Sequence, residues 1–140
     1  MKLNQQDKQL IKFAEELVKA NCDIYSNPDF HVACVIKAKS GKIYKGINIK
    51  TSHSVCAEQV ALGQALACGE RQMDTIVAVK LCDGGKKTRV VSPCGLCRYI
   101  FDKFDFDLKV IVEDISTGEV LKVMYSELLP YPYERDTIKK

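Results

Sequence analysis

Two segments of this chain have residue types and spacing that could do chemistry: Cys56-Ala57-Glu58 and, further along, Ser92-Pro93-Cys94-Gly95-Leu96-Cys97. Thiolates are strong zinc ligands. Three of them leave the fourth tetrahedral position open to water, which separates a catalytic zinc from a structural one. Glu58 follows Cys56 too closely to be incidental and reaches that water without binding the metal. Such a set suits hydrolysis of an amidine-like C–NH2 group. The carboxylate would relay protons from water to the ring nitrogen and then to the departing amine. Zn2+ is the implied cofactor, and no organic cofactor is needed.

Each half of the signal has a plainer alternative. A Cys-x-x-Cys pair also serves redox chemistry or half of a structural zinc site. His53, in the loop before Cys56, is the nearby candidate for a fourth, closing ligand. Glu58 alone could be a first-turn acid that answers a helix dipole. The combination favours catalysis. Cys56 stands where one helix is expected to start, and Cys94 and Cys97 where another starts. Free N–H groups there stabilise thiolate charge, and the i, i+3 spacing puts both sulfurs on one face. Three thiolates leave an excess negative charge around the ion, which those N–H groups and Arg98 could offset.

The 140 residues fit a single domain with one substantial core. A net charge of +3, scattered basic residues and the absence of Trp give no footprint for a nucleic-acid polymer. The basic group Lys86, Lys87 and Arg89 beside Gly84-Gly85 reads as a solvated loop. No signal peptide or membrane-length apolar run is present. Seven cysteines, an odd number without secretory context, point to a reducing cytoplasm. Cys22, Cys34, Cys68 and Cys82 read as core or half-buried residues.

The elements that must position these groups follow from periodicity. Leu10, Ile11, Phe13, Ala14, Leu17 and Val18 predict an amphipathic helix over about 5–20. Asn27-Pro28-Asp29 is a turn, and strands are expected over 31–38 and 43–49. A helix over about 56–68 closes at Gly69. The apolar run 75–81 suits a buried central strand. Pro93 starts a helix over about 94–103. Strands over 108–113 and 119–123 and a short helix over 125–128 complete the order. The pattern is α/β, a five-stranded sheet covered by helices.

At these residues the chain resembles the cytidine deaminase superfamily, in its small three-cysteine branch. The likeness runs through Gly46-Ile47-Asn48, Cys56-Ala57-Glu58, residues 75–79, Val91 to Arg98 and Glu127-Leu128-Leu129-Pro130. Within the branch, Ser-Pro-Cys-Gly-x-Cys-Arg and Glu-Leu-Leu-Pro-x-x-Tyr resemble blasticidin S deaminases. The resemblance implies a three-layer α/β/α sandwich around a five-stranded mixed sheet, and a homotetramer with sites at subunit interfaces. It implies zinc on Cys56, Cys94 and Cys97, with Glu58 as the acid/base. It further implies Phe30 packed on the base, Asn48 on a sugar hydroxyl and the Ala57 N–H on the pyrimidine carbonyl. The Ser92 carbonyl would face the leaving amine, Tyr133 would close the site, and His31 and Arg89 would lie near the sugar. His31 reads equally as a satisfied strand residue, and Tyr133 as a surface ring.

Departures from the family pattern bear on substrate. Cytidine deaminases read Asn-x-Glu-Asn, the Glu holding ribose hydroxyls; this chain has Asn48-Ile49-Lys50-Thr51. Gln59 stands where those enzymes carry Arg. Loss of a carboxylate that accepts two hydroxyls costs on the order of a few kcal/mol of ribose recognition. Lys50 suits an anionic group, such as the sugar carboxylate of blasticidin S, as does Arg89; Lys50 reads equally as a solvated loop residue. The expected activity is deamination of a small cytosine nucleoside, blasticidin S or a cytidine-like compound. The alternatives are ordinary cytidine or deoxycytidine salvage, a polynucleotide-editing deaminase and a zinc-stabilised interaction module.

Overall fold

Apolar side chains alternate along the two central strands, and that alternation sets the layers. The structure, a computed structural model, describes residues 1–104 and 107–133. Helix α1 (Gln5–Ala20) starts in a capping box: Asn4 Oδ1 accepts the Asp7 N–H, and the Asp7 carboxylate accepts the Asn4 N–H. After a 3-10 turn (Pro28–Phe30) come strands β1 (Val32–Ala38) and β2 (Ile43–Ile47). Helix α2 (Ala57–Ala67), strands β3 (Met73–Cys82) and β4 (Lys87–Val91) and helix α3 (Gly95–Phe104) follow. Strands β5 (Lys109–Glu113) and β6 (Val120–Met124) and a 3-10 turn (Tyr125–Leu128) end the described fold.

The strands form one mixed sheet in the order β2-β1-β3-β5-β6, with β4 also paired to β3. Only β3 and β5 run parallel, Thr75 opposite Lys109; the other pairs are antiparallel. The outer edge of β3 thus changes neighbour: β5 borders its first half, and β4 borders Ala78 to Cys82. Ala33, Val35, Val77, Val79 and Ile111 face Leu10, Ala14 and Val18 of α1. Cys34, Ile36, Ile76, Ala78 and Val110 face α2 and α3. With helices on both faces, the middle of β3 from Ile76 to Val79 is continuously apolar and buried, as a strand covered on two sides must be. The expected α/β/α sandwich is present.

The sheet has six strands rather than five. Arg89, expected in a loop, lies on β4. The left-handed turn at Asp83, Gly84 and Gly85 makes a tight β3–β4 hairpin, and the β-branched Thr88, Val90 and Val91 suit a strand. Strand β2 stops at Ile47 instead of Ile49. Ile49 bonds instead to Val55, closing the loop 50–54. The last helix is a single 3-10 turn. Cys34 is buried and Cys82 half-buried as expected, whereas Cys22 and Cys68 are exposed where α1 and α2 end.

Candidate active site

Helix α2 presents small residues to the sheet: Ala57, Ala61 and Ala65, all fully buried at i, i+4 spacing. Opposite them, Gly46 of β2 has no side chain to hold the helix off. A Cβ there would stand 2.4 Å from the Ala61 nitrogen and 2.7 Å from the Ala57 oxygen. The close seat is pinned at its edge by the Gln64 side chain, which accepts the Lys45 N–H at 2.9 Å. Cys56 is thereby the N-cap of a helix held directly against the sheet. Helix α3 is fixed from its other side. Arg98 donates Nε–H to the Pro93 carbonyl at 2.8 Å and a guanidinium N–H to Leu128 at 3.1 Å. Arg98 is therefore committed to backbone carbonyls rather than aimed at the sulfurs.

Both helix starts bring their cysteines to one point. The three sulfurs lie within 4.8 Å of one another. Cys56 and Cys94 Sγ are 3.5 Å apart, and Cys94 and Cys97 Sγ 3.6 Å. A disulfide needs about 2.05 Å. A tetrahedron with zinc–sulfur bonds of about 2.3 Å has edges of roughly 3.8 Å. These spacings fit the edges of a zinc site, and the thiolate set suits that metal. Burial pushes the Cys56 thiol up to about 11, with its neighbours' charge adding to the rise. Cys97, fully buried, is raised further by burial and by the charges of Glu58, Cys56 and Cys94. Burial also pushes Cys94 up, but the N–H groups of Cys97 and Leu96 and the neighbouring thiols outweigh it and lower this thiol. A cation among the three offsets the mutual repulsion of their thiolates.

Glu58 sits in the first turn of α2 and is only 6% exposed. Burial raises its pKa, opposed by its own backbone N–H and by the Cys97 thiol. It lines one narrow cavity with Ala78, Val91, Pro93 and Phe101. Among the described residues no further His, Cys, Asp or Glu joins the cysteine trio. His53 is exposed and contacts Ser52 instead, so it does not close the site.

The signature of the cytidine and deoxycytidylate deaminase zinc-binding region matches residues 5–113. The chain belongs to that family. It is 34% identical over 140 residues to blasticidin-S deaminase of Bacillus cereus, spanning 96% of both chains. It is 31% identical over 105 residues to cytidine deaminase of Halalkalibacterium halodurans, 72% of this chain and 75% of that one. The crystal structure of cytidine deaminase from Burkholderia pseudomallei superposes with a TM-score of 0.70 at 26% identity, over 94% of this chain and 100% of that one. The enzyme is accordingly a hydrolytic deaminase acting on C–N bonds, with zinc as its metal.

The other residues expected to serve this deaminase fall into two groups. Ala57 opens α2, where its N–H has no acceptor within the helix, and Ser92 lies between β4 and α3, beside Cys94. Phe30 is 44% exposed, with the Lys50 ammonium 5.0 Å from its ring centroid. In the second group, side chains are engaged elsewhere. Asn48 accepts the Val32 N–H at 3.0 Å and donates to the Phe30 carbonyl at 2.7 Å, so it shapes the Phe30 segment. His31, just before β1, is 3% exposed; Nδ1 bonds the Pro28 carbonyl and Nε2 accepts the Tyr25 N–H, so both ring nitrogens have partners within the chain. Arg89 pairs with Glu113 on β5 rather than standing free for a sugar. Tyr133 is 79% exposed, so its ring is largely uncovered by its own chain.

One contact and one residue escaped the sequence reading. The Gln59 amide donates to Cys97 Sγ at 3.8 Å, so this neutral group rather than an Arg touches the ligand sulfur. Tyr25 links the turn before β1 to the loop before Cys56: its hydroxyl donates to the Asn48 carbonyl at 2.7 Å and accepts the Lys50 N–H at 2.8 Å. No motif surrounds Tyr25. Its place as a lone aromatic in the short segment between α1 and the turn at Asn27-Pro28 was the sole available signal.

Proposed function

We propose that this enzyme deaminates the cytosine ring of a small nucleoside, with blasticidin S as the leading candidate and cytidine or deoxycytidine as the second reading. The observation that carries the chemistry is three sulfurs from two helix starts within 4.8 Å, beside a buried carboxylate that does not join them. Cys56, Cys94 and Cys97 hold zinc, which when bound supplies Lewis-acid activation of water. Glu58 takes the proton of the attacking water and delivers it to the ring nitrogen beside the amino-bearing carbon. It then hands a proton to the departing amine. The burial of Glu58 limits the access of bulk water to this carboxylate. The Ala57 N–H bonds the ring carbonyl, the Ser92 carbonyl orients the amine, and Phe30 packs on the base.

The substrate reading rests on Lys50, in the position where relatives that grip ribose carry an acid. The similarity to blasticidin-S deaminase over 96% of the chain supports the same choice. The similarity to several cytidine deaminases supports the second reading. We also place the enzyme in the cytoplasm, where its seven free thiols stay reduced. Among the described residues no helix is long and apolar enough to cross a membrane. We also propose a homotetramer with sites at subunit interfaces, for which the exposed Phe30, Ile49, Leu96 and Tyr99 offer apolar surface. The zinc-loaded protein is to be incubated with blasticidin S, cytidine and deoxycytidine while ultraviolet absorbance and ammonia are followed. Preferred turnover of blasticidin S is expected. Equal efficiency on cytidine would transfer the assignment to nucleoside salvage.

A further inference from the structure

Tyr25 makes two side-chain hydrogen bonds to the segment before the Cys56 loop, and deamination itself does not use it. Its hydroxyl donates to the Asn48 carbonyl and accepts the Lys50 N–H, so one phenol grips both sides of Ile49. Its ring packs on His31 at 4.9 Å between centroids, and its own N–H is held by His31 Nε2 at 3.1 Å. The loop that starts at Lys50 is closed by reciprocal 2.9 Å bonds between Ile49 and Val55, and Cys56 comes next. Lys50 thus leaves from a backbone fixed on two sides, one short loop away from a metal-site cysteine. Its ammonium lies over Phe30, and among the described residues no carboxylate pairs with it. A cation over an aromatic face, without an acidic partner and on a clamped backbone, is prepared for an anion.

We infer that Tyr25 is a specificity-determining positioning residue, which holds Lys50 over Phe30 so that the enzyme prefers cytosine nucleosides carrying an anion on the sugar. The inference rests on the deaminase reading above and adds the residue, Tyr25, that holds Lys50 in place to enforce the anion preference. A carboxylate and a phosphate both satisfy an ammonium of this kind. Removal of the phenol oxygen leaves the ring on His31 and takes away the acceptor of Lys50 and the donor of Asn48. The ammonium then loses its fixed origin, while the cysteines and Glu58 keep theirs.

The test compares cytidine, cytidine 5′-carboxylic acid and cytidine 5′-monophosphate on the zinc-loaded enzyme, Tyr25→Phe, Lys50→Gln and the double variant. The native enzyme is expected to favour one or both anionic substrates in kcat/KM. Preference for the carboxylate alone or the phosphate alone names the source of the anion. Each single variant is expected to shrink that preference by about tenfold, mainly through KM. The double variant is expected to shrink it no further. Equal losses on all three substrates in Tyr25→Phe, or single effects that multiply in the double variant, would overturn the inference. Should Tyr25→Phe lose its fold or zinc, Lys50→Gln decides, because a preference that survives it removes the anion seat. A native enzyme that deaminates cytidine without favouring either anion refutes the inference alone. Failure to deaminate these three compounds and blasticidin S alike refutes the underlying reading.

Discussion

Glu58 carries opposing demands. As a carboxylate it must move protons, and as a buried group it resists ionisation, with its pKa raised by desolvation. Replacement by Ala or Gln leaves the three thiols in place. Metal analysis is expected to find zinc retained, while ammonia release slows by at least about a hundredfold, the lower end for a positioned acid/base. Loss of zinc would show that the carboxylate is a ligand. The stability effect has the opposite sign. A raised pKa means that the folded chain holds this proton more firmly than the unfolded one. Its stabilising contribution is therefore complete at low pH and lost as pH rises through the folded value. In the metal-free protein, Glu58→Gln is expected to raise the melting temperature at neutral pH, and the difference should vanish in acid. The site's chemical residues were legible because Cys-x-Glu and Pro-Cys-x-x-Cys are local patterns. Tyr25 was not, because its work is done through backbone groups of residues distant in sequence.

At the scale of elements, the seat of α2 on β2 decides where Cys56 and Glu58 stand. Gly46 permits that seat, since any Cβ would collide with helix backbone, which has no rotamer to yield. Gly46→Ala is expected to cost about 1–3 kcal/mol, as overpacking does, and to loosen zinc in a chelator competition. Gly63 is the control, lying in the same helix with nothing within 4 Å of a Cβ. Gly63→Ala is expected to gain about 0.5–1 kcal/mol in denaturant unfolding from helix propensity, with zinc affinity held. The helices over 5–20, 56–68 and 94–103 were readable within a residue or two, because apolar periodicity and cap residues agree. Strand β4 was not. Its sequence, Lys87-Thr88-Arg89-Val90-Val91, is short, charged and exposed at alternate positions, and it becomes a strand only by pairing with β3. That missing strand is also why Arg89 was read as a loop residue and its pairing with Glu113 was not foreseen: the two become adjacent only once β4 and β5 flank β3.

For the molecule as a whole, one charged cluster ties three neighbouring strands. Asp74 of β3 meets Lys37 of β1 at 3.2 Å and Lys109 of β5 at 3.5 Å. Burial pushes this carboxyl up, but the Thr75 hydroxyl and the two ammoniums outweigh it and hold its pKa below the ordinary value. Its stabilising contribution is thus present above the unfolded pKa of about 4 and disappears as pH falls through the folded value. Acid is expected to lower the melting temperature of the native protein more than that of Asp74→Asn, modestly because the cluster is partly exposed. The three-layer order was legible from the alternation of elements; the exchange of neighbours along β3 was not, because both partners lie on one edge. A last consequence concerns folding kinetics. The sulfurs come from segments 38 residues apart, on helices joined through β3 and β4. Such a distant pairing forms only after the chain has closed its long loops. Metal capture therefore belongs to the final stage of folding, and zinc locks an architecture that the apolar layers have already built.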